Sequence, residues 1–151
     1  MTSVRADEVA VVAVGGLLGA LARASISVAL PQAGPADWPW ATYLTNLIGC
    51  VVLGALLGWI DSRREVWRST SPRRDRLVRP ALASGFLGGF TTFSTFSVES
   101  VRMVTAGAGG QAAVYAFSSV VLGVALVAVG RLAAEATWGM GAHSVILDED
   151  L

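Results

Sequence analysis

The sequence predicts an all-α membrane protein of four transmembrane helices, with the third helix broken between Gly88 and Thr92. Three observations predict it. Of the 151 residues, 54% are hydrophobic and only 15% are charged, whereas an average soluble domain carries roughly 25% charged residues. The mean hydropathy is +0.61, and the charges fall in short clusters between long apolar runs. The third run is the exception in composition. It places Gly85, Gly88 and Gly89 just before Thr91, Thr92, Ser94, Thr95 and Ser97, which is too poor a helix former to continue unbroken.

Each element follows in order, and together they make residues 1–151 a single transmembrane domain. The first run covers residues 9–30, and roughly 20 residues at about 1.5 Å each cross a hydrocarbon core of about 30 Å. A cleaved signal peptide is the competing reading, but the run is long for one and Arg23 interrupts it. Pro31 and Pro35 end this helix. The second helix spans 41–60, with Trp38, Trp40 and Trp59 read as aromatic belt residues. Residues 61–79 hold seven arginines (Arg63, Arg64, Arg68, Arg73, Arg74, Arg76, Arg79) with Asp61, Glu65 and Asp75. This is expected to be an Arg-rich loop, with room for a short helix, and to act as a topology signal rather than a nucleic-acid patch. The third helix spans 80–104 and the fourth 112–134, joined across Gly107, Gly109 and Gly110. The tail 139–151 ends in acidic residues and is expected to be flexible.

Arginine placement predicts orientation. Four spans put the N-terminus, the 61–79 stretch and the C-terminus on one side, with Arg5, the seven loop arginines and Arg131. Only Arg102 and Arg23 lie nearer the other side. Both termini are therefore expected in the cytoplasm, in the cell membrane. A net charge of zero gives no global field to attract nucleic acid. One cysteine, Cys50, and one histidine, His143, make neither an internal disulfide nor a zinc or Cys–His site.

Polar groups inside the spans carry the chemistry, because each is costly in hydrocarbon. Asn46 is either an amide bonding a neighbouring helix or an N–H donor facing an anion path. Gly15 with Gly19, and Gly54 with Gly58, have the spacing of close helix packing. Arg23 either snorkels to the interface or steers anions toward a pore mouth. Glu99 is the one carboxylate well inside an apolar run, open to pairing with an arginine or to a proton or cation role. Phe90, Phe93 and Phe96 recur every three residues. Such a stripe is usually core, but ring edges are positive and can contact an anion without supplying a full charge. Tyr115 and Ser119 share a helical face at i,i+4.

The run Gly85-Phe-Leu-Gly-Gly-Phe-Thr-Thr-Phe-Ser-Thr-Phe-Ser97, followed by Glu99, resembles the signature of the Fluc/CrcB fluoride channels. Gly15-Gly-Leu-Leu-Gly-Ala-Leu-Ala-Arg23 and Asn46-Leu-Ile-Gly49 resemble its weaker first- and second-helix motifs. The resemblance implies a passive fluoride channel built as a dimer of antiparallel subunits with two pores. It implies Phe93 and Phe96 as pore phenylalanines, Asn46 as a donor, Thr92, Ser94, Thr95 and Ser97 as hydroxyls at the break, and Tyr115 and Ser119 as the start of a polar track. It also implies a structural sodium ion at the dimer centre, on backbone carbonyls at Gly88 and Thr91. Two features depart from the simplest family pattern. The one-sided arginine count suits a subunit of fixed orientation that needs an inverted partner, for which a distinct paralogue is one candidate. And Gly123, the next i+4 position after Ser119, supplies no hydroxyl.

The main alternative is a small multidrug or cation transporter coupled through Glu99, since its first helix lacks a carboxylate. A membrane scaffold leaves the broken third helix unexplained. An enzyme is not expected: the sequence holds neither a paired carboxylate site nor a Ser–His arrangement.

Overall fold

The computed structural model describes residues 5–138. The acidic tail, 139–151, with His143, lies outside them. Helix α1 runs from Ala6 to Ala29, with Asp7 and Glu8 in its first turn, where carboxylates complement the helix dipole. Helix α2, Trp40–Thr70, is 31 residues long. Its apolar part ends near Ile60, and ten further residues carry it past any hydrocarbon layer. The expectation of a loop over 61–79 is thus corrected. The stretch is helical on both sides of Ser71, the one residue that leaves helical geometry (φ −149°, ψ 69°). Arginine and glutamate are good helix formers and no glycine interrupts them. Pro72 then opens α3, Pro72–Arg79, at the first position, where proline is tolerated.

The third crossing starts without a gap. Pro80 has no N–H for the next i→i−4 bond, and the ladder widens to a π-helical segment over Pro80–Leu87. One turn of α4, Gly88–Phe90, follows, and then the helix stops. Thr91 (ψ 160°) and Thr92 (φ −148°, ψ 124°) are extended, and α5, Phe93–Thr105, begins after them. The expected break is present, at the C-terminal edge of the expected window. Gly107, at φ 84°, turns the chain into α6, Gly109–Trp138. Among the described residues, α1, α2 and α6 are each long and apolar enough to cross a membrane unbroken. The π-helical segment with α4, and α5 beyond the break, form the remaining, interrupted helix.

Helices pair through glycine. α1 lies along the π-helical segment, and a methyl group on Gly19 would overlap the Phe86 carbonyl. α2 lies along α6, and a methyl on Gly54 would overlap the Val127 carbonyl. Both glycine pairs therefore serve close backbone approach, as expected from their spacing. Outward positions stay apolar: Val28 is 81% and Val124 70% exposed, a surface suited to lipid. Ion pairs collect at one end. Arg76 reaches Asp7 at 2.6 Å and Glu8 at 3.2 Å, and Arg131 reaches Asp61 at 3.6 Å. The start of α1, the end of α2, α3 and the end of α6 therefore share one end of the bundle. At the other end Met103, Ala112 and Tyr115 form a small core with Trp38, Tyr43 and Phe96. Trp38 is drawn into that core, edge-on to Tyr43 at 5.2 Å, while Trp40 stays exposed as a belt residue would.

Candidate functional site

The break in the third crossing is held open by one side chain from α2. Asn46 donates from Nδ2 to the Thr92 carbonyl at 3.0 Å and accepts the Thr92 N–H on Oδ1 at 2.9 Å. Had the helix continued, that N–H would have closed on the carbonyl of Gly88, four residues back. The amide thus takes the donor and leaves the Gly88 carbonyl open. Three residues on, Gly49 makes room for the Thr91 methyl, because any Cβ there would collide with it. This gives the Asn-x-x-Gly spacing a physical reason: one residue clamps the extended backbone and the other admits it.

The remaining carbonyls of the terminated helix are partly satisfied. The Thr91 N–H and hydroxyl both donate to the Leu87 carbonyl, each at 2.9 Å. Arg23 reaches across from α1 and donates from Nε to the Gly89 carbonyl at 3.2 Å. A cation at the C-terminal end of a helix is well placed against its dipole. Arg23 is thus a cap on the break rather than a side chain extended to the interface.

On the other side of the break, Thr92 caps α5. Its hydroxyl oxygen accepts the Thr95 N–H at 3.1 Å and donates to the Thr95 hydroxyl at 3.0 Å, the usual service of an N-cap threonine. The hydroxyl of Ser94 lies 3.3 Å from it. Ser97 bonds back to the Phe93 carbonyl at 2.9 Å.

Beside the break lies a recess of about 370 Å³. α2 contributes Asn46, Gly49, Cys50 and Leu53; the π-helical segment and α4 contribute Leu87 and Gly88; Thr91, Thr92, Phe93 and Phe96 close one wall, and Ser119 comes from α6. Among the described residues no charged side chain lines it. Phe93 is 80% exposed, and its ring centroid lies 5.8 Å from that of Phe96 at an angle of 35°. Of the residues singled out in the sequence, Asn46, Gly88, Thr91, Thr92, Phe93, Phe96 and Ser119 share this recess. Ser94, Thr95, Ser97, Arg23, Glu99 and Tyr115 do not line it.

Glu99 and Tyr115 belong to a second, buried group. Glu99 accepts the Thr42 hydroxyl at 2.8 Å and the Tyr115 hydroxyl at 2.9 Å, one on each oxygen. No arginine pairs with it among the described residues. Tyr115 is fully buried and packs on Phe96 at 5.2 Å, which joins this group to the recess wall. The Ser119 hydroxyl is turned back onto the Tyr115 carbonyl at 2.7 Å. Tyr43 donates to Ser118 at 3.1 Å on the same face. Sequence reasoning passed over Thr42, Tyr43, Ser118 and the recess position of Cys50. The available signal was the i,i+4 spacing of Thr42 and Asn46, which puts a second polar group on one face of α2.

Comparison of the sequence with known proteins finds a matching family model and several relatives. The family model described as "CrcB-like protein, Camphor Resistance (CrcB)" matches residues 10–131. A protein of Hyphomonas neptunium named "Fluoride-specific ion channel FluC" is 38% identical over 119 residues, covering 79% of this chain and 88% of its own. "Fluoride-specific ion channel FluC 1" of Mycobacterium bovis is 42% identical over 78% of this chain and 82% of its own. A "Fluoride-specific ion channel FluC" of Caulobacter vibrioides is 36% identical over 85% of this chain and 95% of its own. With a family model matched across the three unbroken helices and the break alike, the chain belongs to the CrcB family.

Proposed function

We propose that this chain is a subunit of a passive, fluoride-selective channel that releases fluoride from the cell and so relieves its toxicity. One observation carries the reading. The helix break opens α5 onto a recess lined by phenylalanine rings, an amide, hydroxyls and no full charge. Fluoride is small and strongly hydrated, so a passage must replace its water with donors. The positive N-terminal end of α5 favours an anion there. Asn46 spends one N–H on Thr92 and keeps a second, since the amide has two. Ring edges of Phe93 and Phe96 supply weak positive potential. Fixed cations in the path would bind the ion too tightly to let it leave. The relatives' names, which describe fluoride-specific channels, support the same ion.

The proposal extends to the assembly. A second subunit in inverted orientation would complete the pores. A structural sodium ion would sit where the two breaks meet, on carbonyls of Gly88 and Thr91. The chain's own residues fit such an ion. The Gly88 carbonyl has lost its helical donor to Asn46, nothing lies within 4 Å of the position a Cβ on Gly88 would take, and neutral oxygens suit a hard cation. When bound, the ion would tie the two breaks together. The grouping of nine of the eleven basic residues at one end of the bundle supports a fixed orientation with both termini in the cytoplasm.

Fluoride efflux from liposomes, read with a fluoride electrode, tests the proposal. The chain is reconstituted alone and with a paralogue of opposite loop charge. Fluoride efflux without chloride efflux is expected, and expected only with the partner if orientation is fixed. Absence of efflux from folded, dimeric protein in both arms would overturn the channel. Proton-coupled uptake abolished by Glu99→Gln would then install the transporter reading.

A further inference from the structure

The arginine-rich end of the bundle has a chemistry that the pore leaves unused. α2 leaves its apolar part at Ile60 and runs on to Thr70, and α3 returns from Pro72 to Arg79, directly before the apolar π-helical segment. The two form a hairpin that turns at Ser71, and near the turn Trp67 is 8% exposed and packs edge-on to Trp59 of the same helix at 5.2 Å. Arg63, Arg64, Arg68, Arg73, Arg74 and Arg79 are all exposed on it. Among the described residues only Arg68 of this group has a carboxylate within reach, Glu65 at 4.0 Å. Nearby acids are otherwise engaged: Asp7 and Glu8 with Arg76, Asp61 and Glu135 with Arg131. Asp75, in the first turn of α3, makes no ion pair among the described residues and offsets one charge at most. Among the described residues this positive charge is left without further acidic partners.

Position says what. At about 1.5 Å per residue, Arg63 and Arg64 stand roughly 5–6 Å beyond Ile60. That is the depth of the headgroup layer, about 5–8 Å thick on each face of a bilayer. Arg79 ends the returning helix, one residue before the apolar segment. Because α2 is continuous through Ile60, the arginines cannot drift away from that depth. We propose that this hairpin is a binding surface for anionic phospholipid headgroups, with Arg63, Arg64 and Arg79 donating to phosphate oxygens. Guanidinium matches phosphate with a planar fork of donors. Arg68, Arg73 and Arg74, farther out, add attraction over about one Debye length of 8 Å. A soluble polyanion would need no such registration with the apolar spans. At the other end Arg102 stands alone, and Arg23 is committed to Gly89, so the preference belongs to one leaflet. The inference is independent of which ion the pore carries.

Native mass spectrometry of the full chain in detergent, with equimolar phosphatidylglycerol and phosphatidylcholine at about 0.15 M salt, tests it. Preferential retention of phosphatidylglycerol is expected. Combined substitution R63Q, R64Q and R79Q should reduce the preference by about fivefold for each arginine lost, while R102Q leaves it unchanged. Among the described residues these side chains make no hydrogen bond or ion pair, and an unaltered melting temperature in lipid-free detergent verifies that the variants fold. Equal retention of both lipids would overturn the proposal, as would a preference that survives the triple substitution. So would a site that takes free inorganic phosphate as readily as the lipid. A preference that emerges only after deletion of residues 139–151 would assign the surface to the acidic tail instead, and would also overturn it.

Discussion

Replacing Asn46 by alanine removes both hydrogen bonds that hold Thr92 in extended geometry. The sum can be worked from the structure. Interhelical hydrogen bonds in membranes contribute about 0.6 kcal/mol on average and up to about 1.7, so two of them give roughly 1–3 kcal/mol. The local outcome matters more than the total. The freed Thr92 N–H has the Gly88 carbonyl four residues behind it, and closing that bond would carry α4 one residue farther across the break. The recess would lose its shape, and the Gly88 carbonyl would become unavailable to a cation. N46A is therefore expected to abolish fluoride efflux from liposomes and to lower thermal stability in detergent together. N46D is the control. It keeps an acceptor for the Thr92 N–H, so it should recover about half of the stability, yet it should still conduct poorly because it puts a carboxylate against the proposed anion path. The result that would refute the reasoning is an N46A protein of unchanged stability that has lost only efflux. Asn46 would then act on the ion alone, and the break would owe its geometry to something else.

Other expectations follow from single contacts. Thr92→Val removes the cap of α5, and a loss of about 1 kcal/mol with slower efflux should appear in melting and electrode traces; equal stability would deny the cap its role. Tyr115→Phe takes one of two donors from the buried Glu99, and a destabilisation of about 1.5–3 kcal/mol is expected for a hydrogen bond to a carboxylate. A melting temperature equal to that of the parent would argue against the pairing. Gly19→Val pushes a side chain into the Phe86 carbonyl, and overpacking of about 1–3 kcal/mol or more should cut the yield of monodisperse protein in size-exclusion chromatography. Reporter tags on both termini should register only the cytoplasm. A substantial external population would remove the case for a subunit of fixed orientation.

Helix content and the approximate spans were legible in the sequence because hydrocarbon imposes one rule on every residue: apolar side chains outside and all backbone bonds made within the segment. The position of the break was legible for a related reason, since Gly88, Gly89 and the hydroxyls after them offer little to a continuous helix. The length of α2 was misjudged. Charge was read as loop, although arginine and glutamate extend a helix well once it has left the bilayer. That difference is local chemistry, and the sequence contained it.

The roles of Asn46, Arg23 and Glu99 were a different matter. Each admitted two readings, because a polar side chain inside a span is defined by its partner, and the partners lie 46 residues away for Asn46, 66 for Arg23, and 57 and 16 for Glu99. Periodicity records which face of a helix a residue occupies, not what stands opposite. Only the tertiary structure put Thr92 against Asn46, the Gly89 carbonyl against Arg23 and two hydroxyls against Glu99. The sequence by itself determined that this chain crosses the membrane on helices and must break one of them. The packing of α1 on the π-helical segment and of α2 on α6 decided which groups the break leaves open, because backbone approach at the glycines fixes how far the side chains can reach.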